Sequence, residues 1–388
     1  MPLAALTLLA LCCNASDTRR LFRKRVASDA VPERAAPLDA EREWKVWNST
    51  APAVIPHPAA STRCRWTTLT PPPTPTLPPP TNGSICLRAT DDLLCDAILR
   101  DHYWSECADL PALYALSASG AASGGLFLDV GANIGACSMH MLLSSEAPVV
   151  AFEPGANNLF YATSSFLRLG ESLPEALGRL TLYPLAVGSS NSSSSLFSAI
   201  GNAGHSVIGQ QPTLYAPRGH EKAQPIIVRT LDDVLWPRSE RARPPQPIAL
   251  MKLDVEGYEC HALRGMKEIL QKGVIHLIKI EVFDYGLRAQ GCSGIELQQT
   301  LTAHGFTLVL APADGNAPSP DALSRHAQHP PTVLHSAAPY NLYCFRSSAS
   351  NQHQTDRWWA NRDRPAGVRQ WAMRDRRRRL SGVNGIWS

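Results

Sequence analysis

The feature that most constrains the fold is an alternation that begins at Leu126. Short apolar runs, several ending in an acid, are separated by stretches whose apolar residues recur at helical spacing. The runs are LFLDV (126–130), VVAFE (149–153), RLTLYPLAV (179–187), IIVRT (226–230), IALMKLDVE (248–256), HLIKIEV (276–282), FTLVL (306–310) and NLYCFR (341–346). Strands that are apolar almost throughout are buried on both faces, which requires helices above and below a parallel sheet. One helix is expected to begin near Ile134. A second runs from Ala156 to Leu169, with Leu159, Ala162 and Phe166 on one face. A third spans Tyr258 to Gln271, with Gly273 as its stop, and a fourth Gly294 to His304. The pattern predicts an α/β fold, a Rossmann-like doubly wound sheet.

Such a sheet binds ligands at the carboxyl ends of its strands, so the turn after LFLDV is a binding turn. It reads Gly131-Ala-Asn-Ile-Gly135 and lacks the central glycine of a dinucleotide turn, which lets a pyrophosphate approach the backbone. Asp129 stands immediately before it. A carboxylate there repels a pyrophosphate and complements the ammonium or sulfonium of a zwitterionic cofactor. Glu153 ends the second strand 24 residues later (153 − 129), where an acid hydrogen-bonds the hydroxyls of an adenosine ribose. Asp129, Gly131, Asn133, Gly135 and Glu153 are therefore the candidate cofactor residues.

Further along, AFEP (151–154), LAVG (185–188), TLDDVL (230–235) and MKLDVEGYECHALRGM (251–266) follow LDVGANIG in order. This series resembles the motifs of FkbM-type methyltransferases over about Leu126 to Leu310. The resemblance implies a class I methyltransferase fold, mostly parallel with the last strand antiparallel, and S-adenosyl-L-methionine as cofactor. It also implies O-methylation of sugar or polyketide hydroxyls. NLYCFR would be the last strand, set apart from FTLVL by a segment rich in Pro, Ala and His.

The catalytic candidates follow from what a hydroxyl acceptor needs. Enzymes of this fold that methylate amines on nucleic acids carry an Asn/Asp-Pro-Pro-aromatic turn after the fourth strand. Here that position reads Asp254-Val-Glu-Gly257. Asp254 and Glu256 share a face of an ideal strand and can take the proton of an acceptor hydroxyl; Glu281, ending the next strand, can join them. Three carboxylates can also hold a divalent cation, but no histidine in proper context completes a site, and no metal is assigned. Glu256 could instead cap the helix near Tyr258. His205, in the presumed loop SAIGNAGHSVIG (198–209), is a candidate base with a side chain that titrates near neutrality. Asp232 and Asp233 are expected to start a short helix, and Trp236 to pack.

The flanks differ in composition from this core. PPPTPTLPPP at Pro71 to Pro80 favours polyproline geometry and cannot form a core. The expected organisation is a signal-peptide-like leader (1–15), a Pro-rich stalk (16–85), a methyltransferase-like domain (86–347) and a basic tail (348–388). The twelve-residue run PLAALTLLALCC is too short to span a bilayer and suits a signal peptide cleaved before Ser16, although Arg19 to Arg25 on its far side oppose translocation. Sequons at Asn48, Asn82 and Asn191, with Cys64, Cys86, Cys95 and Cys107 as candidate disulfide partners, favour the secretory pathway over an organelle or the cytoplasm. Cys137, Cys260 and Cys344 are expected to be free buried thiols.

The net charge of +4 includes a surplus of 9 − 3 = +6 between Asp356 and Arg379, leaving the rest at about −2. The core thus has no charge-driven preference for nucleic acid, whereas the tail, with Trp358, Trp359 and Trp371 among its arginines, could contact a polyanion or membrane surface. The expected partner of the core is a glycan or other hydroxyl-bearing small molecule. Rival readings are a nicotinamide-dependent oxidoreductase, a non-catalytic Rossmann-type binding protein, and an RNA-directed enzyme using the tail.

Overall fold

The computed structural model describes residues 46–50, 52–59, 61–73, 77–89, 92–118, 124–200, 202–209, 219–220, 223–310 and 340–346. The expected leader, the start of the stalk, the segment between FTLVL and NLYCFR, and the basic tail lie outside them.

Three strands come first: β1 (Trp47–Asn48), β2 (Arg65–Leu69) and β3 (Gly83–Leu87), followed by helices α1 (Leu93–Asp101) and α2 (Leu110–Ser117). The alternating part opens with β4 (Leu126–Val130), α3 (Ala136–Ser144), β5 (Val149–Phe152), α4 (Ala156–Ser172), α5 (Pro174–Leu177) and β6 (Leu180–Tyr183). Next are β7 (Ala186–Val187), β8 (Ser192–Ala199), β9 (Asn202–Ile208), β10 (Gln224–Arg229) and α6 (Leu231–Leu235). The last part is β11 (Ile248–Leu253), α7 (Glu259–Arg264), α8 (Lys267–Lys272), β12 (Ile275–Val282), α9 (Asp284–Ala289), α10 (Gly294–Ala303), β13 (Phe306–Leu310) and β14 (Tyr340–Arg346).

The large sheet runs β1-β6-β5-β4-β11-β12-β14-β13. Its centre, β6-β5-β4-β11-β12, is parallel throughout, and β14 runs antiparallel to both β12 and β13. This is the expected mostly parallel α/β sheet with its last strand reversed. Strand β4 shows why: Phe127 joins the core on one face, while Leu126, Leu128 and Val130 join the core on the other. The strand order turns back between β4 and β11, so the carboxyl ends of those two strands flank the binding crevice.

Several expectations change. The stalk does not extend to residue 85: β1 pairs with β6 at the edge of the large sheet, and β2 pairs with β3 in a hairpin closed by the Cys64–Cys86 disulfide. Proline is compatible with this because PPPTPTLPPP falls between β2 and β3 rather than within a strand. The run RLTLYPLAV divides at Pro184 into β6 and β7, and β7 belongs to a second, four-stranded sheet, β7-β10-β8-β9. Ile226 to Arg229 of IIVRT lie in that sheet too, as part of β10. The presumed loop SAIGNAGHSVIG forms the end of β8 and all of β9, paired antiparallel. Its glycines and serines hide the strand signal.

The helix expected from Tyr258 to Gln271 breaks into α7 and α8. A Cβ on Gly265 would lie 1.9 Å from the Gly188 carbonyl oxygen, so β7's end presses against the chain there. The new amino terminus is capped by Asp232, which accepts from the N–H groups of Glu268 and Ile269, each at 2.9 Å. Asp232 and Asp233 do open the short helix α6, behind the N-cap Thr230, and Trp236 is buried, as expected. Cys137 and Cys260 are not free: they pair with Cys107 and Cys292. Cys95 and Cys344 are the free cysteines among the described residues, and both are buried. Among the described residues, no helix is long and apolar enough to cross a membrane.

Candidate functional site

At the carboxyl end of β4 the chain turns through Gly131 and Gly135 at φ of +90° and +80°. Both positions need glycine for space as well. A Cβ on Gly131 would come 1.9 Å from the Asp254 carbonyl oxygen, and one on Gly135 would come 2.7 Å from the Phe166 ring. Asn133, between them, sits at φ +53°, a conformation asparagine tolerates. The turn's N–H groups are largely used: those of Gly131 and Ala132 donate to the Phe152 carbonyl, and that of Gly135 to the Ala132 carbonyl. The Asn133 N–H donates to Glu153 Oε2 at 2.9 Å. A turn that cradles phosphates keeps such donors facing the ligand.

Glu153 is buried beneath this turn. Its Oε1 accepts from the Gly155 N–H (2.7 Å) and from Asn158 Nδ2 (3.1 Å). Burial pushes its carboxyl up to about 7, against the pull of those donors and of Arg88. Asp129 stands in β4 two residues before Gly131. It is fully buried below the turn, because β4 lies at the centre of the sheet. Its Oδ2 accepts from Ser138 Oγ at 2.6 Å, and its Oδ1 lies 3.8 Å from Lys252 Nζ. Burial raises its pKa, with Lys252 opposing.

Lys252 was not anticipated, although a lysine inside an otherwise apolar central strand was a signal to follow. Its ammonium contacts Asp254 Oδ2 at 2.9 Å and donates to the Gly131 carbonyl at 3.2 Å, tying the ends of β4 and β11 together. Burial works against its charge, but Asp254 and Asp129 outweigh burial and hold its pKa above the ordinary lysine value.

All the catalytic candidates converge above this pair. Asp254, Glu256 and Glu281 offer carboxylate oxygens that lie within 4.8 Å of one another. His205 reaches them from β9, with Nδ1 2.7 Å from Glu256 Oε2. Glu256 is at φ +53°, a strained conformation for glutamate that aims its side chain at the cluster. It does not cap the next helix; Glu259 serves that turn instead, Oε1 accepting from the N–H groups of Val255 and Gly257. Burial raises Glu256 and lifts Glu281 well above the usual carboxylate range, with Asp254 and the other nearby acids adding to the rise at Glu281. For His205, burial opposes protonation, but the hydrogen bond and charge of Glu256 win and lift it above its ordinary value. The result is a set of acids and one imidazole among which a proton can be received and shared.

Residues 129–308 match the family model of the methyltransferase FkbM domain. Over those residues the chain is similar to the FkbM methyltransferase family. A methyltransferase FkbM of known structure, from Methylobacillus flagellatus KT, is similar at 16% identity and a TM-score of 0.34, covering 64% of this chain and 53% of that one. This chain thus spans about half the length of that protein. A precorrin-6Y C5,15-methyltransferase from Geobacter metallireducens GS-15 is similar at 10% identity and a TM-score of 0.29, covering 62% of this chain and 89% of that one. No curated protein matches the chain. The match begins at Asp129, so β1 to β3 and the helices α1 and α2 lie outside the matched residues.

Proposed function

We propose that this chain is an S-adenosylmethionine-dependent methyltransferase that methylates a hydroxyl of a glycan or other small molecule. The observation that carries the reading is the meeting of His205, Asp254, Glu256 and Glu281 beside the glycine turn, at the carboxyl ends of β4, β11 and β12. The residues around the turn suit the cofactor. Its N–H groups are engaged internally, which removes the cradle a pyrophosphate needs, and the surrounding acids favour a cation. Glu153 Oε2, with one internal donor, keeps capacity to accept from a ribose hydroxyl.

When bound, S-adenosylmethionine supplies a sulfonium methyl whose transfer leaves a neutral thioether. The chain's own part is to orient the acceptor hydroxyl and receive its proton. Glu256, held in place by its hydrogen bond to His205, is the proton acceptor: its carboxylate becomes a neutral carboxylic acid as it takes the hydroxyl proton. Asp254 is held by Lys252 and orients the acceptor hydroxyl. Glu281, held toward its neutral form by burial, donates a hydrogen bond.

The compartment proposed is the lumen of the secretory pathway, supported by the disulfides Cys64–Cys86, Cys107–Cys137 and Cys260–Cys292. Calorimetric titration of S-adenosylmethionine and of NAD into the full chain tests the cofactor. Saturable binding of the first alone is expected, followed by transfer of labelled methyl to a hydroxyl acceptor from a glycan panel. Binding of NAD would revive the oxidoreductase reading, and cofactor binding without transfer to any acceptor would favour a binding protein.

A further inference from the structure

Arg88 lies at the end of the β2–β3 hairpin, outside the matched domain, yet it is buried against the cofactor turn. Its Nη2 donates to Asn133 Oδ1 at 2.8 Å and also to Asn158 Oδ1, while Nη1 pairs with Asp92 at 2.9 Å. Together with the bonds to Glu153 these close a ring. Arg88 holds the side chains of Asn133 and Asn158; Asn158 Nδ2 donates to Glu153 Oε1; and Glu153 Oε2 receives the Asn133 N–H. The ring fixes both amides. With Oδ1 committed to Arg88, Asn133 turns Nδ2 toward Gly204 on β9, where an added Cβ would lie 3.4 Å from it. The planar fork makes this possible, since two acceptors on separate elements are held by one nitrogen and a third by its neighbour.

The hairpin that presents Arg88 is itself secured. The Cys64–Cys86 disulfide closes it two residues before Arg88, and the Cys86 N–H donates to Ser165 Oγ on α4 at 2.9 Å. Asp92, the counter-charge of Arg88, caps α1 through the Cys95 N–H at 3.0 Å. A cation so placed has no role in proton transfer at the acid cluster. It acts on the other half of the site.

We propose that Arg88 is a positioning residue for the cofactor: the N-terminal hairpin uses it to lock Asn133 and Glu153 into the arrangement that receives the adenosine ribose. This rests on the cofactor reading above. The groups facing Glu153 are the N–H groups of Asn133 and Gly155, the Asn158 amide and Arg88, and Arg88 is the charged one among them.

The test is titration of S-adenosylmethionine into the full chain and its Arg88→Met and Arg88→Lys variants, between pH 6 and 9, with thermal melts alongside. Wild type should bind more tightly as pH rises through about 7, where Glu153 ionises. Arg88→Met should weaken binding by about tenfold to a hundredfold, the loss expected for charge-assisted bonds. It should also move the pH midpoint upward, because the cation that favours ionised Glu153 is gone. Arg88→Lys should weaken binding but keep the midpoint. A folded Arg88→Met with unchanged affinity and midpoint overturns the proposal. If Arg88→Met fails to fold, a folded Arg88→Lys with wild-type affinity does the same. Wild type that fails to bind S-adenosylmethionine sinks the cofactor reading itself, a distinct result.

Discussion

His205 Nδ1 lies 2.7 Å from Glu256 Oε2, which joins the small sheet to the turn that ends β11 of the large one. The two sheets therefore meet at an ion pair whose strength depends on pH. His205 has its pKa raised in the fold, so the stability from its imidazolium is fully present below the unfolded value of about 6.5 and is lost as pH rises through the folded value. His205→Gln should cost more stability at pH 6 than at pH 9. Urea denaturation at both pH values measures this; equal costs would show that the pair contributes nothing as an ion pair.

The same pair governs turnover. Glu256→Gln keeps the shape and removes the proton acceptor, and should lower kcat/KM by about a hundredfold to ten-thousandfold. It also leaves Asp254 as the remaining charge that opposes burial at His205, so any residual activity that uses the imidazole should extend to lower pH than in wild type. Once an acceptor is in hand, pH–rate profiles of the two proteins check both points. A Glu256→Gln enzyme with wild-type kcat/KM would remove Glu256 from the chemistry.

Lys252 binds two acids that are differently exposed. Removing it leaves Asp129 fully buried with only Ser138 to hold it. Lys252→Met should destabilise the protein by about 3–5 kcal/mol, the cost of breaking a buried pair from one side. Asp129→Asn in the same chain should restore part of that loss, since the stranded charge is then gone. Denaturant midpoints of the single and double variants decide it, and a double variant no more stable than Lys252→Met would mean that Asp129 is not the stranded group.

What the sequence made legible follows from how local each signal is. The strands β4, β12 and β13 and the helices α4 and α10 carry uninterrupted apolar periodicity, and they form close to where it places them. The acids at the strand ends were legible because a sheet of this kind brings strand ends together whatever the loops do. His205 was found by residue type, but its strand was not, because Asn202-Ala-Gly-His-Ser has too little apolar pattern. Arg88, Asp92 and Asn158 carried no local signal: the ring they form depends on a hairpin packing onto a turn far along the chain. The pairing of Cys107 with Cys137, rather than with its neighbours in sequence, is non-local in the same way.

The glycine turn allows a sharp steric prediction. Gly131→Ala places a methyl group 1.9 Å from the Asp254 carbonyl oxygen at a φ of +90°, so neither the backbone nor the neighbouring strand end can accept it without moving. The expected outcome is loss of cofactor binding together with a lowered Tm. Gly204→Ala is the contrast: its φ is not positive, and its Cβ would meet Asn133 Nδ2 and Asn202 Oδ1 at 3.4 Å, so it should fold normally. Melting curves and titrations of both variants separate the cases, and a Gly131→Ala protein with wild-type Tm would contradict the close approach of β4 and β11.

The Cys107–Cys137 disulfide ties the short turn Ser105–Cys107 to the first turn of α3, directly after the cofactor turn. The sequence separation of 30 residues sets the chain entropy that it removes from the unfolded state, worth about 3–4 kcal/mol. Cys107→Ser with Cys137→Ser should therefore lower the unfolding free energy by about that amount, and reductant should add little further loss at this site. The free thiols behave oppositely. Cys95 is buried and its pKa is pushed up to about 12, by burial first and then by Asp92, so it offers almost no thiolate at neutral pH. Alkylation of the native chain followed by peptide mass spectrometry should leave Cys95 and Cys344 unmodified, while both react after denaturation without reductant. Modification of Cys107 or Cys137 under those denaturing, non-reducing conditions would show that their bond is not formed, and with it would go the main support for folding in an oxidising lumen.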